Sequence, residues 1–328
     1  MIVDKHQQFI QGVSKLFEVL HFDLSTPLLG CGGCFDIIAK QKNVLILVKL
    51  LENIDSLRED QAFELRKLSS MLSGLPLLIG RNIRSSSELE DGVIYSRYEI
   101  PAISRETLRN LLVHHLPPLI YAHRGGLRVK IDGELLKEKR LEKNLSLSDL
   151  ASEVGVSKRA IYEYERGGID VSLDTALMLE EYLDEPLTIA LNLFERMKRI
   201  GSVTLPTSYK NEPKSDLEKE VKKHFDSIGF KDQLWTKKIP FRVLARPELS
   251  DEELQKFKST ITGISEQISR KELVEKIEVT YSISKIAKAD PLVVVGEEFD
   301  RSLIEGYRIM SVDELSKHKK KKKTIDES

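Results

Sequence analysis

Asp36 and Lys49 stand near the two ends of FDIIAKQKNVLILVK (residues 35–49), a stretch made of two short apolar runs around a polar turn. Such runs read as a strand hairpin. A hairpin that carries a carboxylate on one strand and an ammonium on the next raises the question of a metal-binding phosphodiester site, intact or lapsed. A second candidate is the pair Cys31 and Cys34 in CGGC. One CxxC supplies two of the four ligands that structural zinc takes, so His6, His21 or acidic residues would have to complete a site. A redox role would rest on a lowered thiol pKa, which such motifs reach at a helix start; this one leads into a strand. The alternative is a pair of turn glycines between small buried thiols.

The bulk composition bounds what these residues can serve. At 328 residues the chain is long enough for two or three domains, and 41% hydrophobic with 31% charged residues is ordinary globular composition. Fifty-one Lys and Arg against fifty-two Asp and Glu leave a net charge of −1, so any basic surface must be local. The longest apolar run, NVLILVKLL, is interrupted by Lys49 and is far short of the roughly 20 residues of a membrane span. Two cysteines and an N-terminus without a signal pattern lead us to expect the cytoplasm and no membrane partner.

Proline and glycine divide the chain. HLPPLIYAHRGG (115–126) and GSVTLPTSYKNEPK (201–214) have turn and linker composition. The expected segments are 1–122, 127–200 and 210–316, followed by a Lys-rich tail, 317–328, whose like charges favour a solvated, disordered state. The outer segments resemble one another. KLFEVLHF (15–22) parallels KHFDSIGF (223–230), and FDIIAK (35–40) parallels FRVLAR (241–246). Lys42 to Gly80 and Lys258 to Gly296 then run in step without a gap, ending in LPLLIG and DPLVVVG. Each copy reads as helix, strand, strand, helix, strand, then a short strand and a last helix. In the first copy Leu57, Phe63, Leu65, Leu68 and Leu72 mark the helix after the hairpin.

This order resembles the restriction-endonuclease-like fold with its PD-(D/E)XK signature. The resemblance implies carboxylates on adjacent strands that hold Mg²⁺, and a lysine two positions beyond the second acid that helps activate water. Asp36 takes the first acid position and Lys49 the lysine position, but Leu47 stands where the second acid belongs. Glu52 would point to the other side of a continuing strand. Glu18 on the first helix is the remaining carboxylate that could join Asp36. In the second copy the corresponding residues are Asp226, Arg242, Gly263 and Ser265, which abolishes the site. No catalytic residue, metal or cofactor is therefore expected, and no Gly-rich phosphate loop is present.

The middle segment carries the densest signal. A helix from Glu134 to Lys143 would bury Leu135, Leu136 and Leu141. Ser146 with Asp149 three residues on forms a capping box for a second helix ending at Glu153. Ala151 is small where helices approach, Gly155 suits a tight turn, and Val156 plugs it. Ser157 caps a third helix, Lys158 to Arg166. Ile161 and Tyr164 face inward; Lys158, Arg159, Tyr162 and Arg166 face outward. Lys137, Lys139, Arg140 and Lys143 cluster on the first helix.

LSDLASEVGVSKRAIYEYERG closely resembles the helix-turn-helix of the lambda-repressor and Cro (XRE) family, and SLDTALMLEEYLDEPL its following helix. The resemblance implies that Ser157 to Arg166 enters the major groove. Ser148, Ser157, Lys158, Arg159, Tyr162 and Arg166 are then the DNA-binding residues. The family's glutamine at the start of the second helix is Leu147 here, which passes that contact to Ser148 or the backbone. The expected architecture is multidomain, an all-α helix-turn-helix domain between two α/β restriction-endonuclease-like domains. In domain order it resembles archaeal proteins described as HTH-type transcriptional regulators. That implies a sequence-specific regulator of double-stranded DNA, a homodimer since one reader covers one half-site, with outer domains for dimerisation or for sensing an unknown small-molecule effector. The rival expectation is a Mg²⁺-dependent nuclease targeted by the helix-turn-helix.

Overall fold

A computed structural model describes the chain apart from residues 1–4, 29–31, 85–86, 202–211, 237–238, 240, 248–258, 266–269, 297–306, 312–313 and 316–328. Cys31, most of the second linker and the Lys-rich tail thus lie outside the described residues.

The elements follow the apolar periodicity of the sequence. Helix α1 (Lys5–Val19) buries Phe9, Ile10, Val13 and Phe17 at helical spacing. It is followed by β1 (Asp23–Leu24), β2 (Ile37–Gln41), β3 (Val44–Asn53), α2 (Glu59–Met71), β4 (Leu75–Ile83), β5 (Ser87–Glu88), β6 (Val93–Arg97), β7 (Ile100–Ser104) and α3 (Arg105–Val113). The middle of the chain forms β8 (Ile120–His123), β9 (Gly126–Ile131), α4 (Gly133–Glu142), α5 (Leu147–Glu153), α6 (Lys158–Glu165), β10 (Val171–Ser172), α7 (Leu173–Leu183), β11 (Thr188–Ile189) and α8 (Leu193–Gly201). The last portion forms α9 (Asp216–Ser227), β12 (Asp232–Trp235), β13 (Val243–Arg246), β14 (Thr260–Ser265), α10 (Arg270–Ala287), β15 (Asp290–Val295) and β16 (Ile309–Ser311). These elements gather into two compact units, Met1–Leu50 with Leu57–Leu77 and Lys198–Ser328, and Leu51–Ser56 with Leu78–Met197.

In the first unit β1, β2 and β3 pair antiparallel in sequence. A five-stranded sheet runs β12-β13-β14-β15-β16, antiparallel across the first three strands and parallel across the last three. The same hydrogen bonds recur at equivalent places. Leu28 N–H donates to the Asp36 carbonyl and Asp36 N–H to the Val48 carbonyl, as Thr236 N–H donates to the Arg242 carbonyl and Arg242 N–H to the Thr262 carbonyl. That matching places Asp36 on Arg242, Val48 on Thr262 and Lys49 on Gly263. The gapless alignment had put Lys49 on Ser265, two residues away; strand pairing sets register, and run length between landmarks does not. Phe35 and Phe241, each one residue before these paired positions, are both fully buried with ring centroids 6.5 Å apart. Lys67 on α2 donates to Asp232 on β12 at 2.9 Å, and the Thr26 N–H donates to Ser282 Oγ on α10 at 2.9 Å.

The inward face of α2 differs from the expected one. Phe63 is only half-buried, whereas Gln61, Ala62, Glu64, Leu65, Leu68 and Ser69 are buried. Polar residues therefore occupy a stripe that apolar spacing alone assigned to leucines and phenylalanine.

In the second unit β4 and β7 run parallel, as β15 and β16 do in the first. Beyond them β7 pairs antiparallel with β6, β6 parallel with β8, β8 antiparallel with β9, and β9 antiparallel with both β10 and β11. The region 127–200 is consequently not all-α. Leu127, Val129 and Ile131 alternate with Arg128 and Lys130 at the period of a strand, and Val129 and Ile131 close one side of the helical core. Gly125 lies in the turn of the β8–β9 hairpin and Gly126, paired with His123, opens β9, where composition marked a boundary; their φ angles are +95 and +126. Glycine meets that requirement without a Cβ penalty.

Candidate nucleic-acid interface

Local hydrogen bonds define each helix start of the middle segment. The Asp132 carboxylate accepts from the backbone N–H of Glu134 and Leu135 ahead of α4. Ser146 accepts from Asp149 N–H at 3.2 Å while Asp149 accepts from Ser146 N–H at 2.8 Å, the reciprocal box that opens α5. Ser157 Oγ accepts from Ala160 N–H at 3.1 Å at the start of α6. Gly155 takes φ +68 in the turn between α5 and α6, with nothing within 4 Å of the place a Cβ would occupy. Beneath these caps Leu136, Leu150, Ala151, Val154, Ile161, Tyr164, Ala176 and Leu179 form one core, with Leu147 and Val156 packed on its edge.

That core orients α6. With Ile161 and Tyr164 buried, Lys158, Arg159, Tyr162 and Arg166 are all exposed, as are Ser148 and Ser157. Lys158 and Arg159, in the first turn of α6, have no ion-pair partner among the described residues. Arg166 lies over the Tyr162 ring at 5.3 Å and donates to its hydroxyl at 3.2 Å, so these two act as a pair. Ser157 caps the helix with one lone pair of its side-chain oxygen, which leaves the hydroxyl proton and the second lone pair for another contact. Leu147, by contrast, is an apolar edge residue of the core.

The first helix departs from the expectation. Arg140 is buried and grips Glu165 with two bonds, Nε to Oε1 at 2.6 Å and Nη2 to Oε2 at 3.2 Å, while Nη1 donates to the Leu145 carbonyl at 2.8 Å. Lys139 pairs with Glu142 and Glu185, and Lys143 donates to the Tyr182 carbonyl. The basic cluster of α4 is thus engaged inside the domain, and of its four members only Lys137 is left exposed with no such bond among the described residues. Leu141 is 54% exposed and does not join the core; the helix turns so that Leu136 and Arg140, four residues apart, face inward. Gly133 permits this seating, because a Cβ there would lie 2.5 Å from the carbonyl oxygens of both Tyr164 and Glu165.

Around the hairpin of the first unit, Asp36 and Lys49 are brought together and buried. Lys49 Nζ donates to Asp36 Oδ1 at 3.0 Å and Leu50 N–H donates to Oδ2 at 2.6 Å. Burial pushes the Asp36 carboxyl above its ordinary value, although Lys49 and the Leu50 N–H pull the other way. Leu47 is fully buried and apolar, and Glu18 is exposed, so it does not join Asp36. Glu52 pairs with Arg81 at 3.3 Å. Among the described residues no group of three or more His, Cys, Asp or Glu could hold a metal ion. The residues present therefore do not fit the divalent metal of the nuclease signature.

Two residues of this neighbourhood were not foreseen. Glu64 is buried on α2, close enough to Cys34 that, after burial itself, its charge is the main cause holding that thiol well above the ordinary cysteine value. Gln61 Nε2 donates to the carbonyls of Gly32 and Gly33 at 2.8 and 3.2 Å, tying down the loop of the CGGC motif. The signal available in the sequence was their spacing, three apart and in phase with Leu65 and Leu68. At the residue whose backbone bonds match those of Asp36, Arg242 pairs with Glu218 of α9, Nε to Oε1 at 2.5 Å. Asp226 is instead exposed, held by Lys222 at 2.7 Å.

Comparison with known proteins places both regions in known families. Residues 6–118 match the PD-(D/E)XK superfamily domain and residues 136–189 match the helix-turn-helix domain. A protein of Methanocaldococcus jannaschii is 35% identical over 93% of this chain and 92% of its own length. One from Pyrococcus horikoshii is 38% identical over 88% of this chain and 85% of its own, and one from Methanococcoides burtonii is 34% identical over 86% and 84%. No solved structure gives a significant match. The relatives share one name, and the chain belongs to their family, the archaeal proteins named "Putative HTH-type transcriptional regulatory protein".

Proposed function

We propose that this protein is a sequence-specific transcriptional regulator that reads duplex DNA with α6. The observation that carries the reading is the placement of Lys158 and Arg159, exposed and without an ion-pair partner among the described residues, on a helix whose opposite face is locked into the core by Ile161 and Tyr164. A free guanidinium in the first turn of such a helix suits bidentate contact to guanine, worth about 1–3 kcal/mol of discrimination. Ser148, Ser157, Tyr162 and Arg166 supply phosphate or flanking contacts in this reading.

The chain works as a homodimer on a two-fold site, with segments 1–122 and 210–316 as modules for dimerisation or for sensing a small-molecule effector, and it acts in the cytoplasm. It is not a nuclease in this reading, since Asp36 is engaged by Lys49 and Leu50 and its second acid is absent. Selection of bound sequences from a random duplex pool in the presence of Mg²⁺ tests both points. A palindromic consensus on intact DNA, weakened and relaxed by Arg159→Ala, supports the regulator. Nicked DNA lacking a consensus would reverse the assignment.

A further inference from the structure

The β8–β9 hairpin is basic, exposed at its tip and at Lys130, and built into the helix-turn-helix core through Val129 and Ile131. Its stretch IYAHRGGLRVKI (120–131) carries His123, Arg124, Arg128 and Lys130 and not one carboxylate. Arg124 and Lys130 are exposed and have no ion-pair partner among the described residues. Gly125 and Gly126 hold the turn in conformations with open space around both, so His123 and Arg124 stand at a tight, solvent-facing tip.

The hairpin and α6 share one rigid frame. Val129 and Ile131 of β9 belong to the same core as Ile161 and Tyr164 of α6. The loop that leaves α6 is fastened to the hairpin: Tyr121 donates to Asp170 Oδ2 at 2.6 Å, and Arg128 Nη1 donates to the Asp170 carbonyl at 3.3 Å. Arg196 lies over the Tyr121 ring at 4.5 Å and covers that joint. Burial and then the bond to Asp170 push the Tyr121 phenol up to about 12, so it stays a donor across the neutral range.

We propose that this hairpin is a second DNA-contacting element, which lays Arg124 and Lys130 against duplex phosphates beside the segment read by α6. The proposal rests on the α6 reading for the identity of the partner. Lysine and arginine on phosphates add affinity without sequence choice, and each such contact releases counterions and steepens the salt dependence of binding. A contact of this kind extends the protein's grip outside the bases that α6 distinguishes.

The test is equilibrium binding of the full chain to its selected duplex and to an unrelated duplex over a series of salt concentrations. The variants are Arg124→Ala, Arg124→Lys, Arg124→Ala with Lys130→Ala, and Arg159→Ala, each checked by thermal melting. Arg124→Ala is expected to lower the slope of log affinity against log salt by about 1, and the double variant by about 2. Affinity falls several-fold on both duplexes alike, the ratio between them holds, and Arg124→Lys restores the slope. Wild-type slope and affinity in the double variant overturn the hairpin proposal, and the α6 reading survives if Arg159→Ala still loses the ratio. A lowered slope in the hairpin variants with no effect of Arg159→Ala supports the hairpin and refutes the α6 reading instead.

Discussion

The Lys49 ammonium lies 3.0 Å from the Asp36 carboxylate, with both side chains almost wholly withdrawn from solvent. In a working PD-(D/E)XK centre these two positions face a metal and a phosphate; here they neutralise one another inside the first unit. The neighbouring Phe35–Phe241 contact joins this hairpin to the segment where Arg242 meets Glu218. Arg242, whose backbone bonds match those of Asp36, thus also stands in an ion pair, with the opposite sign of charge.

Lys49→Met is expected to destabilise the first unit by about 3–5 kcal/mol, because it strands a buried carboxylate. Combining it with Asp36→Leu should recover much of that loss, since an apolar pair of similar volume has no charge to desolvate. Urea unfolding followed by the fluorescence of Trp235, the one tryptophan of the chain and a buried residue of the same unit, measures both. Equal stability of wild type and Lys49→Met would show that the pair contributes nothing.

Glu165→Gln should loosen the seat of α6. It removes the charge that Arg140 grips with two bonds, leaving a buried guanidinium, at a cost of about 3–5 kcal/mol. Hydrogen exchange resolves the effect by position: amides of α4 and α6 speed up together, while those of the first unit keep wild-type protection. Exchange confined to α6 would mean that the ion pair does not couple the two helices.

Acid should weaken the first unit through Asp232. Burial alone would raise this carboxyl, but hydrogen bonds and charge from Lys67 and Arg246 outweigh it and hold the group below its ordinary value of 3.8. A depressed folded-state pKa contributes stability that is present above the unfolded value and is lost as the pH falls through the folded one. Asp232→Asn is therefore less stable than wild type at neutral pH by about 1–3 kcal/mol, and the gap closes as the pH drops below 3.8. Denaturant titrations of both proteins across that window, read by Trp235, decide it; a gap independent of pH would assign the loss to packing.

The helix-turn-helix is legible in the sequence because its determinants are local. Ser146, Asp149 and Ser157 cap through bonds spanning three residues, Ile161 and Tyr164 share a face by helical period, and the absent acid at Leu47 is a matter of strand alternation. Arg140 shows where that logic stops. In sequence it belongs to a run of bases; in space it is chosen by Glu165, twenty-five residues away, and serves as an internal clamp. Glu64 and Gln61 were overlooked for the same reason, since a polar residue on a helix declares no partner of its own.

Short-range hydrogen bonding and periodicity thus specified the helix-turn-helix, its outward residues and the place of Leu47 in the hairpin, because each depends on neighbours within one or two turns of chain. Long-range packing alone decided the rest: the two-residue register between the copies, the meeting of Phe35 with Phe241, the inward turn of Arg140, the exposure of Leu141, and the hairpin that carries Arg124. These depend on which surfaces exclude water together, and such pairing is a property of the assembled core that no window of sequence contains.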